Sequence, residues 1–103
     1  MVNTTLLRQT LAHIEDNPEQ WDQRRFHRDF AGWSLRLAKP AIREQRDGAG
    51  IEVLMEGDKP LWICEIPARA ETLLGLTRDQ SVALFCAGNT LDDLRRLVGQ
   101  FTA

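Results

Sequence analysis

Few side chains in this sequence could carry covalent or acid–base chemistry. Two thiols, Cys64 and Cys86, and two imidazoles, His13 and His27, are the groups that could form a nucleophile–base pair or ligate a metal. Their contexts give no activation. Cys64 lies in the apolar run Leu61–Ile66 and Cys86 follows Leu84 and Phe85, so both read as packing groups. No CxxC, HxxxH or HxxE spacing occurs, and His13 with Asp16 is the one pair with helical ligand spacing. The adjacent acids Asp92 and Asp93 open a helix, where the dipole favours anions. Glycosidic cleavage would instead need carboxylates facing each other across about 5–9 Å. Glu15 and Asp16 sit near a helix end and read as solvated. Gly48 and Gly50 lack the strand-then-helix setting of a phosphate loop. The expectation is a protein that is not an enzyme and has no cofactor and no metal.

The concentrated chemistry is cationic. Arg24, Arg25 and Arg28 lie between Trp21 and Trp33, and Arg36 follows on the next turn. Residues 22–46 hold seven basic against three acidic side chains, a local balance of +4; the chain as a whole is −2, so the remainder is −6. Two readings compete. The cluster is a solvated helix face with Asp22 and Asp29 as partners, or it is a docking surface. Arginine beside tryptophan is a common composition of binding hot spots. The partner-binding residues of the second reading are Arg24, Arg25, Arg28 and Arg36, meeting an acidic protein or the acidic part of a second copy as a homodimer. The edge of a β-hairpin is the next choice, since an unpaired strand edge is a docking template.

Two alternatives belong to other classes. Residues 68–87 read as two short helices joined around Gly75-Leu76-Thr77, like a helix-turn-helix. The recognition helix would start Arg78-Asp79-Gln80, one cation beside an acid, which is poor chemistry for phosphates. Together with the net negative charge, this makes nucleic acid an unfavoured partner. The other alternative is a small cysteine-dependent hydrolase using Cys64 or Cys86.

The elements that position these groups follow from caps and periodicity. Asn3 caps a first helix with its stripe at Leu6, Leu7, Leu11 and Ile14, and Asn17-Pro18 stops it. NPEQW makes a tight helical turn presenting Trp21. Phe26, Phe30, Trp33 and Leu37 recur at four, three and four, one face of a helix ended by Pro40, and Gly32 inside it predicts close approach of another element. Residues 40–50 read as a polar connection. Segments 51–55 and 61–66 bracket Gly57-Asp58 as a hairpin in which Glu56 faces Lys59, Val53 faces Trp62 and Ile51 faces Cys64. Three short helices follow, opened by Pro67, by the capping box Thr77-x-x-Gln80, and by Asn89 or Thr90. The expected core is Trp21, Phe30, Trp33, Leu37, Trp62, Leu73, Phe85, Leu94 and Leu97.

The fold class is therefore α+β and mainly α-helical: a single globular domain over residues 1–103, with about five short helices and one β-hairpin (about 51–55 and 61–66). A hydrophobic fraction of 43% and a charged fraction of 27% suit such a domain. No run approaches the roughly 18 apolar residues of a membrane span. Leu6-Leu7 is soon followed by Arg8 and Gln9, unlike a secretion signal. With two cysteines lacking paired spacing, the expected location is the reducing cytoplasm. Eleven arginines against two lysines point to a GC-rich genome.

The set NPEQWDQ, FAGWSLRLA, ARAETLLGLT, SVALF and NTLDDLRRLV resembles a group of small uncharacterised proteins from actinobacteria and their phages. The likeness covers residues 17–38 and 68–98. In that group a Cys/Gly/Thr-rich run precedes FAGW, whereas this chain has Arg25-Phe26-His27-Arg28-Asp29, so no role of those cysteines transfers. The resemblance implies a phage or mobile-element setting and supplies no catalytic residues. The resulting expectation is a non-catalytic cytoplasmic protein-interaction factor, an accessory protein that binds a host or self-encoded protein.

Overall fold

The computed structural model describes residues 1–46 and 48–103. In chain order the elements are α1 (Thr4–Asp16), a 3-10 turn (Pro18–Gln20), α2 (Phe30–Ala38), β1 (Ile42–Arg46), β2 (Glu52–Glu56), β3 (Lys59–Pro60), α3 (Glu65–Leu74), α4 (Arg78–Phe85) and α5 (Leu91–Phe101). The strands form one antiparallel sheet in the order β1-β2-β3. The chain is α+β and mainly helical, as its caps and periodicity predict. No helix among the described residues is long and apolar enough to cross a membrane.

The caps that are local in sequence form as expected. Asn3 Oδ1 accepts from Leu6 N at 3.0 Å, and Thr77 with Gln80 closes a capping box on α4. Thr90, rather than Asn89, caps α5, with Asp93 completing the box. Gly75 ends α3 in the left-handed region at φ 67°, where a side chain would also strike the Met1 carbonyl.

Two apolar clusters share α2. Phe30 and Trp33 pack with Leu7, Ile14, Leu84 and Leu94 from α1, α4 and α5. Ala31 and Leu35, on the opposite side of the same helix, pack with Ile42, Leu54, Ile66 and Ala70 from the sheet and α3. Residues 30–35 are buried on every side, so α2 is the central element rather than an amphipathic one. Trp33 meets the core and donates its indole N–H to Gln20 O at 3.1 Å. Trp21 donates to Gln23 Oε1 at 2.9 Å, and the buried Gln23 amide donates to Leu84 O and Cys86 O at 3.1 Å each. That glutamine ties the 21–29 loop to the end of α4.

Three expectations change. Helix α2 begins at Phe30, not at Phe26. Asp29 caps it by accepting from Gly32 N at 2.8 Å, and Phe26 lies outside, 49% exposed, in a loop that folds back over the helix start. Gly32 permits that return: a Cβ there would sit 2.6 Å from the Phe26 carbonyl oxygen. Segment 61–66 is not a strand. The pairing of Glu56 with Lys59 forms as expected, but β3 ends at Pro60; Leu61 N then bonds Leu54 O at 2.9 Å and the chain turns at Trp62 into α3. Trp62 therefore leaves the core and is 71% exposed, and Cys64 is exposed too. The hairpin across Gly57-Asp58 is thus short, and the longer pairing of β2 is with β1, drawn from the predicted polar connection; Val53 faces Gln45, and Glu52 faces Arg46. Asp47, also in that connection, lies outside the described residues.

Two measurements check this account. Gly32→Ala should gain about 1 kcal/mol of helix propensity yet lower stability by roughly 2 kcal/mol or more, because the backbone of residues 26–27 must move; denaturant unfolding reads the sign. The Asp29 carboxyl, 5% exposed, is pushed up to about 7 by burial, against the opposing hydrogen bonds from the backbone. A raised carboxyl favours the folded state at low pH, and that contribution is lost as pH rises through about 7. Asparagine caps equally well and does not titrate. The thermal midpoint should thus fall between about pH 4 and pH 7 in the native protein, and this slope should flatten in Asp29→Asn.

Candidate docking surface

Alternation along β1 and β2 turns Ile42, Glu44, Leu54 and Glu52 to one side of the sheet, the side that faces α2 and α3. Half of that inner face is apolar and buried. The other half is carboxylate, and the loop returning over Gly32 brings cations to it. Arg28 grips Glu44 with two donors, Nη2 at 2.8 Å and Nε at 3.2 Å. Arg36 Nη1 lies 3.7 Å from the same carboxylate, and its guanidinium stacks 4.0 Å over the Trp33 ring. His27 Nε2 lies 2.8 Å from Glu52 Oε2 and 3.6 Å from Glu44. Arg25 and Arg46 approach Glu52 at 3.8 and 3.4 Å.

The electrostatics follow from these contacts. The Arg28 hydrogen bond holds the Glu44 carboxyl below its ordinary range, and the His27 hydrogen bond does the same for Glu52. The Arg28 guanidinium is raised by Glu44, whereas burial lowers that of Arg36. His27, Glu44 and Glu52 offer three ligand atoms within 4.8 Å of one another. Four guanidinium groups already neutralise these two carboxylates, so an added cation would have to displace Arg28 and the His27 hydrogen bond. The set is suited to fastening the sheet, not to holding a metal.

The four predicted site residues consequently divide. Arg28 and Arg36 turn inward and attach the sheet to the helices. Arg24 and Arg25 stay at the surface: Arg25 is paired with Asp22 at 3.2 Å, and Arg24 makes no side-chain ion pair among the described residues. With Arg46 they border a groove of about 540 Å³. Leu54, Leu61 and Ile66 form its floor. Phe26, Ile51 and Ile63 form its sides, and the two isoleucines are 60% and 61% exposed. Sequence reasoning missed Arg46, Ile51 and Ile63, because the groove joins three separated segments, each ordinary alone. The only prior signal was the Phe26 position beside the arginines.

The alternative sites are also placed. Cys64 and Cys86 line one shallow pocket of about 350 Å³ with Glu71, Arg78 and Ser81. Neither histidine borders it: His13 packs on Trp33 at 4.3 Å between ring centres, and His27 is on the sheet. Helices α3 and α4 are joined through Gly75-Leu76-Thr77. The one cation of the recognition position, Arg78, is held by Glu71 at 3.0 Å, and Glu71 also accepts from Ser81 at 2.6 Å.

Comparison with protein-family models, curated proteins and solved structures finds no match to this chain.

The division of the arginines has a measurable consequence. Arg28→Glu sets a third carboxylate against Glu44 and Glu52 and should lower stability by about 1–3 kcal/mol, between the values of exposed and buried pairs. Arg24→Glu should change the thermal midpoint by no more than about 2 °C. Thermal unfolding of the two single variants separates the inward from the outward arginine.

Proposed function

We propose that this chain is a non-catalytic protein-interaction factor that docks a partner protein through the groove bordered by Arg24, Arg25 and Arg46. The observation that carries this reading is the adjacency of exposed apolar side chains, Phe26, Ile51 and Ile63, to three surface guanidiniums. Isolated exposed apolar residues are common; a contiguous group lining a concavity is the usual mark of a contact surface. Trp62, beside Ile63 and 71% exposed, adds the residue type most enriched among binding hot spots. The cationic rim favours an acidic partner and would steer its approach.

The resemblance to small proteins of actinobacteria and their phages supports a host or self-encoded partner, in keeping with an accessory role. The two exposed thiols support a reducing, cytoplasmic setting. Arg28 and Arg36, expected from the sequence to contact the partner, act here through the sheet they hold in place.

The test uses the folded protein and the variant Arg24→Glu/Ile63→Asp as baits in an actinobacterial lysate. Both should share a thermal midpoint. The native bait should retain a protein that the variant loses, with affinity for it lowered about 10- to 100-fold. Sedimentation of the native chain alone checks whether a second copy occupies the groove. Binding of random duplex DNA at low salt, unaffected by the variant, would overturn the proposal in favour of the α3–α4 reading.

A further inference from the structure

The groove lies where the sheet is one strand short. Strand β1 pairs with all five residues of β2, from Glu52 to Glu56. On the other edge, β3 reaches only Glu56 and Met55, and Leu61 N to Leu54 O is the last backbone hydrogen bond there among the described residues. The chain then turns away: Glu65 N bonds Trp62 O at 3.0 Å and α3 begins. Backbone groups along a strand alternate between its two edges. Since the Leu54 carbonyl faces the β3 side, so do the N–H and C=O of Glu52. The groove runs beside this edge, with Glu52 and Val53 along one side and Leu54 in the floor.

Resting on the docking reading above, we infer that the groove receives an extended, acidic segment of the partner protein, which continues the third strand along β2. Strand addition uses main-chain hydrogen bonds for affinity and alternate side chains for selectivity. Alternate residues of the entering segment would fall on the Leu54–Leu61–Ile66 floor, so they are apolar. The intervening residues meet the rim. Among the described residues, Arg24 has no ion-pair partner, and Arg46, 74% exposed, has only the Glu52 carboxylate that His27 already holds. Both therefore select carboxylates. The edge groups of Glu52, beside the groove, suit a short extended segment at roughly 3.3 Å per residue.

Two other occupants fit less well. A helix satisfies its own backbone and leaves the Glu52 edge groups to water. The other sheet edge of a second copy is β1, which bears Arg43 and Arg46 and would set arginine against arginine.

The experiment is a titration of the isotopically labelled full chain, followed by backbone amide resonances and hydrogen exchange. The probes are a capped hexapeptide alternating Glu and Val, its Lys/Val counterpart, the Glu/Val peptide N-methylated along its backbone, and an acidic amphipathic helical peptide. The Glu/Val peptide is expected to bind, to protect the Glu52 amide from exchange, and to bind at least about tenfold tighter than the Lys/Val peptide. N-methylation should abolish binding, and Arg24→Glu/Arg46→Glu should weaken it about tenfold. Equal binding of the Lys/Val peptide overturns the acidic requirement. Binding of the helical peptide with Glu52 still exchanging freely overturns strand addition and leaves the docking reading standing. Failure of every acidic peptide overturns the inference, while partner capture that depends on Ile63 separately decides the docking reading.

Discussion

The structure depends on how the inner face of a half-polar sheet is covered. Ile42 and Leu54 bury against Ala31, Leu35 and Ile66, as any sheet face would. Glu44 and Glu52 lie further along the same face and cannot be buried without cations. Arg28 and Arg36 supply them, His27 adds a hydrogen bond to Glu52, and all three come from one loop and the helix that it starts. The loop can deliver them only by crossing close over α2, which the absence of a side chain at Gly32 allows. One missing Cβ thus links the helical body to the sheet. Asp29 fixes the crossing point from the other side, since its carboxylate caps α2 while Arg25 O receives its amide.

This arrangement explains which parts of the fold were legible in the sequence. Caps and turns at Asn3, Asn17-Pro18, Thr77/Gln80 and Gly57-Asp58 are decided by neighbours within four residues, so local rules read them correctly. The start of α2 was not legible, because the Phe26–Phe30–Trp33 spacing mimics a helical stripe that Asp29 interrupts. Strand β1 has one buried apolar residue, Ile42, and its partners are charges distant in sequence; no periodicity marks it. The misread strand at 61–66 is a conflict between two patterns. Leu61-Trp62-Ile63 is apolar enough for a strand, yet Ile66, Ala70 and Leu74 recur at helical spacing and bury fully, and the helix prevails. Pro67 then sits within the first turn of α3, where a missing N–H is tolerated, instead of marking its first residue.

The candidate site was half legible for the same reason. Arginine density marked a segment but could not say which guanidiniums face inward. That depended on Glu44 and Glu52, whose proximity to Arg28 and His27 exists only after β1 pairs with β2. Charge counts along a sequence register amounts, not partners. Here two of the four predicted residues serve the fold and two remain at the surface, where Arg46 joins them from the opposite strand.

The groove is a by-product of the same packing conflict. Because helix α3 begins at Glu65, the chain leaves the sheet after Leu61 and cannot complete the third strand. The apolar residues that would have lined a longer hairpin are left outside: Trp62 and Ile63 beyond the turn, Ile51 at the far end of β2. The loop carrying Phe26 and Arg24 closes the remaining side, since His27 and Arg28 in that same loop are anchored to the sheet. An apolar floor, an open strand edge and a cationic rim therefore arise together from one short strand and one anchored loop. Their shapes are coupled: loosening the Arg28–Glu44 contact would move Phe26 and Arg24 relative to β2, so the inward arginine governs the geometry that the outward one presents.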